Sequence, residues 1–261
     1  MTMTDLHEGR VVWVTGAASG IGKATIEEIL DEGGSAVCSD LPNSDLNWAE
    51  GNERIYIVTG DVADPDHNDA AVNAAVEKFG RLDGAVLNAG MAQRDDLFGE
   101  SMEVFDRVQE VNVRAVVLGI RSAAKVMRPG AAITVTASTS GMRGDPGMWV
   151  YNTSKAAVIN LVRSASMDLA GRGIRINAVC PGPTATGMTE GPYGEGSPGY
   201  EDLRRRMPLQ KWGDSSEVAA AHSFLLSPKA SQITGVHLPV DGGMSANSGQ
   251  FHATLLYPVA R

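Results

Sequence analysis

Short runs rich in Val and Ile, such as RVVWVT at 10–15, SAVCSD at 35–40 and RIYIVT at 54–59, alternate with longer stretches whose apolar residues recur at helical spacing. No other feature narrows the fold as much. Apolar runs of this length suit strands covered on both faces, and strands alternating with helices build βαβ units around a parallel sheet. The pattern predicts seven strands over 10–15, 35–40, 54–59, 82–88, 131–138, 173–179 and 235–240. Helices are predicted over 20–32, 65–79, 102–127, 149–171 and 215–226. Right-handed crossovers would spread them over both faces of a doubly wound α/β sheet of seven mainly parallel strands. A chain of 261 residues with 43% hydrophobic content fits one such domain. Residues 184–213, rich in Gly and Pro between a strand and a helix, form a connection long enough to be a lid. The tail, 245–261, has apolar residues with no evident place in the sheet and could pack on a neighbouring subunit or hang loosely.

The formal charge of −9 argues against a nucleic-acid partner or an anionic membrane surface, both of which select basic patches. No apolar run reaches membrane-spanning length, and the start MTMTDLHEGR lacks the apolar core of a secretory signal, so a cytoplasmic location is expected. Cys38 and Cys180 lie in apolar runs and are expected to be buried free thiols. His7, His67, His222, His237 and His252 show no ligand spacing, and no catalytic metal is expected.

The turn TGAASGIG, 15–22, follows the first predicted strand and opens the first predicted helix. In that setting Gly16 permits the tight turn, Gly20 lets a phosphate approach the backbone, and Gly22 allows helix to pack closely on strand. The helix then offers free N–H groups, from residues such as Ser19 and Ile21, and a partial positive charge to a pyrophosphate. A ligand-free Gly-rich turn has the same letters. Asp40 ends the second strand, 18 residues after Gly22, where a carboxylate can accept both adenosine ribose hydroxyls. A 2′-phosphate would meet like charge there and no Arg or Lys follows closely, which favours NAD over NADP; a solvated loop acid is the plain alternative.

In YNTSK, Tyr151 and Lys155 stand four residues apart and share a helix face, as any such pair would. A phenol with a free pKa near 10 needs about 4 kcal/mol of help to act as a base at neutral pH. A cation about 4 Å away at an effective dielectric of about 20 is worth about that much.

Together with GDV (60–62), NAG (88–90), VNV (111–113) and PGPTATGM (181–188), these motifs make the chain resemble the short-chain dehydrogenase/reductases along nearly its whole length. The resemblance implies a single Rossmann-type domain and a catalytic set of Ser138, thirteen residues before Tyr151, with Tyr151, Lys155 and Asn112. It implies that Asp61 and Val62 flank the adenine and that Asn88, Ala89 and Gly90 pass the cofactor ribose. Pro181, Gly182, Thr184 and Thr186 would hold the nicotinamide carboxamide. Leu87 departs from the pattern, where many members have a second Asn, and should alter packing more than chemistry.

The expected reaction is NAD-dependent hydride transfer to or from a secondary alcohol or ketone, with Tyr151 as general acid or base, Ser138 orienting the substrate oxygen, and Lys155 tuning the phenol and binding ribose. Asn112 would hold a water that relays protons. Ser138, Ser140, Tyr151 and Met188 are expected to touch substrate, and Met91, Gln93, Arg94, Met142, Arg143, Met148, Trp149 and Tyr193 to wall the pocket. The resemblance also implies a homotetramer. The alternatives are an NADP-dependent 3-oxoacyl-(acyl-carrier-protein) reductase, a nucleotide-sensing protein without activity, and a halide-displacing lyase on the same fold.

Overall fold

In the computed structural model, which describes residues 5–94, 97–99, 101–189 and 194–246, the first strand, β1 (Val11–Thr15), has every residue buried. Its alternation sorts the core into two layers. Val11 and Trp13 pack with α2 (Pro65–Phe79), α4 (Ala115–Val126) and α5 (Trp149–Ala170), whereas Val12 and Val14 pack with α1 (Gly20–Asp31) and α7 (Ser215–Leu226).

The remaining strands are β2 (Ser35–Asp40), β3 (Ile55–Thr59), β4 (Gly84–Leu87), β5 (Ala132–Thr136), β6 (Arg175–Pro181) and β7 (His237–Val240). They form one seven-stranded sheet in the order β3-β2-β1-β4-β5-β6-β7, and every pairing is parallel. The order reverses between β1 and β4, so a crevice opens at their C-terminal ends, where the glycine turn and the NAG segment leave the sheet. α7 is held by Arg175, whose guanidinium donates to the carbonyls of Leu225, Ile233, Leu226 and Ser227 at 2.8–3.4 Å.

Two elements differ from the sequence expectation. The helix predicted over 102–127 is interrupted: α3 (Met102–Gln109) runs into a five-residue π segment, Glu110–Arg114, before α4. The predicted lid holds a helix, α6 (Pro198–Arg206), whose N-cap Ser197 accepts from the amide of Tyr200 ahead of Pro at the first position. The base of the segment 184–213 is closed by a parallel bridge between Thr184 and Gly213, and Tyr200 stacks on Trp212 at 4.6 Å between ring centroids. Tyr193 and the tail beyond Ala246 lie outside the described residues.

Candidate active site

The glycine turn is shaped by what its residues lack. Gly16 and Gly20 have φ of +66° and +54°, in the left-handed region that costs side chains. Gly22 has ordinary backbone angles but no room: a β-carbon there would stand 2.0 Å from the Gly16 carbonyl oxygen. Ser19, the N-cap of α1, makes no side-chain cap bond, and the first helical turn, which includes Ile21, carries no acidic residue. The exposed amides and helix dipole are therefore free for an anion. Thr186, near the start of the segment 184–213, lies over the turn, with its methyl 3.3 Å from where a β-carbon on Gly20 would be. A dinucleotide fits this cradle.

Asp40 reaches back into the turn. Its Oδ2 accepts from the Ala18 amide at 2.8 Å, and its Oδ1 accepts from the Leu41 amide at 2.8 Å and the Ser44 hydroxyl at 2.7 Å. The carboxylate is thus oriented and keeps one lone pair, on Oδ2, for a ribose hydroxyl. Asp61 accepts from Arg107 at 2.7 Å and from the Ala63 amide at 2.9 Å; burial works to raise its pKa, but these bonds win and hold it below the ordinary range. Val62, beside it, is half-buried.

Asn88 clamps the other side of the crevice. Its Nδ2 donates to the carbonyls of Thr15 at 3.1 Å and Gly16 at 3.2 Å, while Thr15 Oγ1 accepts from the amides of Asn88 at 2.9 Å and Ala89 at 3.0 Å. Leu87 packs tightly on Gly119 of α4, where a β-carbon would meet its methyl at 2.6 Å. At the end of β6, Pro181 is buried and Gly182 presses on Asp241, while the buried Thr184 donates to the Gly182 carbonyl at 3.0 Å.

Ser138, Tyr151 and Lys155 come together at the C-terminal end of β5. Burial pushes the Tyr151 hydroxyl up to about 12, and a side-chain hydrogen bond with Ser138 pulls the other way. Ser138 Oγ also accepts from the Ser140 amide at 3.1 Å. The Lys155 ammonium stands 5.5 Å from the Tyr151 ring centroid and donates to the Thr136 carbonyl at 2.8 Å. Burial lowers it to about 8. The ammonium therefore lies over the ring rather than on the hydroxyl, and in this structure burial outweighs the downward pull expected of Lys155 on the phenol.

The π segment carries Asn112. Its Nδ2 donates to the Met91 carbonyl at 2.9 Å and to Ser154 Oγ at 3.0 Å, and its Oδ1 accepts from the Met91 amide at 2.8 Å. Both amide hydrogens are committed to protein acceptors, so Asn112 is a clamp between the loop after β4 and α5, with one lone pair left for the expected water. Gly90 lies where these groups meet: a β-carbon there would be 3.2 Å from Asn112 Oδ1 and 3.4 Å from Lys155 Nζ.

The predicted pocket walls separate. Ser140 donates its hydroxyl to Asp145 at 2.6 Å, and Arg143 pairs with the same carboxylate at 3.1 Å. Ser140 thus spends its hydroxyl hydrogen on Asp145. Trp149 stacks on Phe105 of α3 at 5.6 Å. Met142 and Met188 are exposed. Cys38 and Cys180 are buried and free. Among the described residues no group of His, Cys, Asp and Glu is arranged to hold a metal ion, and no helix is long and apolar enough to cross a membrane.

A family model described as Enoyl-(Acyl carrier protein) reductase matches residues 16–245. The chain belongs to the short-chain dehydrogenase/reductase family. Among its relatives, levodione reductase of Leifsonia aquatica is 33% identical over 252 residues, covering 91% of this chain and 94% of the relative. Meso-2,3-butanediol dehydrogenase of Serratia marcescens is 34% identical, covering 93% and 97%. A 3-oxoacyl-[acyl-carrier-protein] reductase of Thermotoga maritima is 35% identical, covering 91% and 98%. A glucose/ribitol dehydrogenase-type member from Brucella melitensis superposes with a TM-score of 0.87 at 30% identity, covering 92% of this chain and 98% of that one. A member from Burkholderia cenocepacia, solved in complex with NADP, superposes with a TM-score of 0.83 at 32% identity, covering 92% and 99%. Like the rest of this short-chain dehydrogenase/reductase family, the chain is an oxidoreductase on a nucleotide-binding, Rossmann-type sheet.

Three side chains of the site have no counterpart among the sequence candidates. Thr15 and Thr136 fasten Asn88, and His222 of α7 fastens Thr136. Nothing local marks them, because each acts across neighbouring strands or from the opposite helix layer.

Proposed function

We propose that the chain is an NAD-dependent dehydrogenase or reductase acting on a secondary alcohol or its ketone. One observation carries this reading: Ser138, Tyr151 and Lys155 come together at the C-terminal end of β5, with the Lys155 ammonium 5.5 Å from the Tyr151 ring, at the mouth of the crevice that the glycine turn lines. The bound nicotinamide supplies the hydride donor or acceptor.

The chain's residues supply the proton and the position. Tyr151 gives a proton to the substrate oxygen in reduction, for which a neutral phenol is ready; in oxidation it takes one. That direction requires the phenol to come down from about 12, and the Lys155 charge and the positive oxidised ring both act in that sense. Ser138 holds the substrate oxygen and Met188 of the lid lies over the substrate. Gly16, Ser19, Gly20, Ile21 and Gly22 face the pyrophosphate, Asp40 the adenosine ribose, and Asp61 and Val62 the adenine. Asn88, Ala89, Gly90 and Lys155 line the nicotinamide ribose, and Pro181, Gly182, Thr184 and Thr186 the carboxamide. The segment 184–213 acts as the lid, and the protein works as a cytoplasmic homotetramer. Ala156 and Ala157, exposed on α5, offer a small-residue face for such an assembly, and a monomeric mass in solution would remove that part.

The NADP complex of the Burkholderia cenocepacia member and the 3-oxoacyl reductase relative favour an NADP-dependent second reading. Steady-state assays with NAD and NADP against secondary alcohols, cyclic diols, sugars and hydroxy acids separate the two. Tyr151→Phe should abolish turnover and leave NADH binding intact; turnover within about tenfold of wild type overturns the acid–base role.

A further inference from the structure

His222 lies in α7, across the sheet from the helix that carries Tyr151 and Lys155, and is fully buried. Nothing in the proposed reaction uses it. Its Nε2 is 3.1 Å from Thr136 Oγ1 and its Nδ1 is 2.8 Å from Thr134 Oγ1. Thr134 and Thr136 sit two apart on β5, so both hydroxyls project to the α7 side, where a helix would ordinarily present an aliphatic residue.

The hydrogens in this group have one consistent arrangement. Thr136 has a single hydroxyl hydrogen and spends it on Asn88 Oδ1 at 3.0 Å. It must therefore accept from His222, which makes Nε2 the protonated nitrogen and Nδ1 the acceptor of the Thr134 hydroxyl. Asn88 Oδ1 is thereby fixed as the acceptor, and its Nδ2 is left to donate to the Thr15 and Gly16 carbonyls at 3.1 and 3.2 Å. A directed chain runs from Thr134 through His222, Thr136 and Asn88 into the glycine turn. Thr136 is also the junction to the proton-transfer group, because its backbone carbonyl receives the Lys155 ammonium at 2.8 Å.

We propose that His222 is a positioning residue, which through Thr136 locks the Asn88 amide and so holds the glycine turn in its cofactor-binding shape in register with Lys155. Without the His222 donor, Thr136 can turn its hydroxyl elsewhere, Asn88 loses the bond that fixes its amide, and a flipped amide would set its oxygen against the Gly16 carbonyl. The inference rests on the turn being a dinucleotide site, as proposed above.

The test is fluorescence titration of the purified protein with NADH and NADPH, which needs no substrate. His222→Phe keeps a planar ring, slightly larger than the imidazole, and removes both bonds; the tighter-binding cofactor should lose about tenfold in affinity, the size of one buried hydrogen bond. His222→Gln, whose amide reaches the Nε2 position, should restore affinity to within about threefold. Thr136→Val should match His222→Phe, and the double variant should be no weaker than either single one. Should His222→Phe not fold, Thr136→Val and His222→Gln carry the comparison. Unchanged affinity in Thr136→Val or His222→Phe, whatever the melting temperature, overturns the positioning role alone. If the wild type binds neither NADH nor NADPH, the cofactor reading falls and this inference with it.

Discussion

The Lys155 ammonium donates to the Thr136 carbonyl at 2.8 Å in a site where burial has lowered it to about 8. At neutral pH it is still mostly charged, and the fold bears the cost of burying that charge. A shift of this size corresponds to about 3 kcal/mol below pH 8, a cost that disappears as pH rises toward the ordinary lysine value of 10.5. Lys155→Met should therefore lower turnover by at least about 100-fold while its melting temperature at pH 7 stays equal or rises. A melting temperature several degrees lower would make the lysine a structural residue.

Gly22 is constrained by space rather than by φ. Its missing β-carbon would fall 2.0 Å from the Gly16 carbonyl oxygen and 2.8 Å from Asn88 Nδ2, and the carbonyl belongs to backbone that cannot give. Gly22→Ala should force α1 away from the turn and cost about 1–3 kcal/mol or more, with NADH binding lost. Gly171, the C-cap of α5, has φ of −62° and nothing within 4 Å, so Gly171→Ala should be neutral or slightly stabilising. Equal melting curves and NADH affinities for the two variants would refute the steric account.

Asp40 accepts from the Ala18 amide at 2.8 Å, and in the proposed reading it also meets the adenosine ribose. Asp40→Ala should weaken NADH binding by loosening the turn as well as by losing the ribose acceptor. Asp40→Asn keeps an acceptor for Ala18 and removes the charge, so it should gain about tenfold in NADPH affinity relative to NADH, about 1.4 kcal/mol. Fluorescence titration with both cofactors decides; a wild type that already prefers NADPH contradicts this use of Asp40.

What could be read in the sequence is what acts locally. The glycine turn and the Tyr151–Lys155 pair are fixed by spacing along one strand–helix junction or one helical turn, and Asp40 by its place at the end of the next strand; the fold brings them to one crevice. The interruption at Glu110–Arg114 could not be read, because a π turn changes hydrogen bonding without changing apolar periodicity. The Ser197–Pro198 start of α6 lies among glycines that, read along the chain, suggest loop alone. Thr15, Thr136 and His222 depend on β4 lying between β1 and β5 and on α7 crossing behind them, a tertiary fact that no window of sequence contains.

His222 also gives the fold an acid limb. Burial alone lowers it from 6.5 to about 3, so between those values the unfolded chain binds a proton that the folded chain refuses. Stability then rises with pH across that window, and the contribution is complete above pH 6.5 and lost progressively below it. The slope approaches about 1.4 kcal/mol per pH unit. His7, lowered to about 4 chiefly by burial, adds in the same direction, whereas Glu32, raised chiefly by burial, opposes it at the lower end. Urea melts of wild type and His222→Gln at intervals from pH 7.5 to 5 isolate the His222 share, since glutamine does not titrate. The wild type should lose more stability than the variant by about 1 kcal/mol per unit below pH 6; parallel curves would mean that His222 is protonated in the folded protein and that its bond to Thr136 has a different sense.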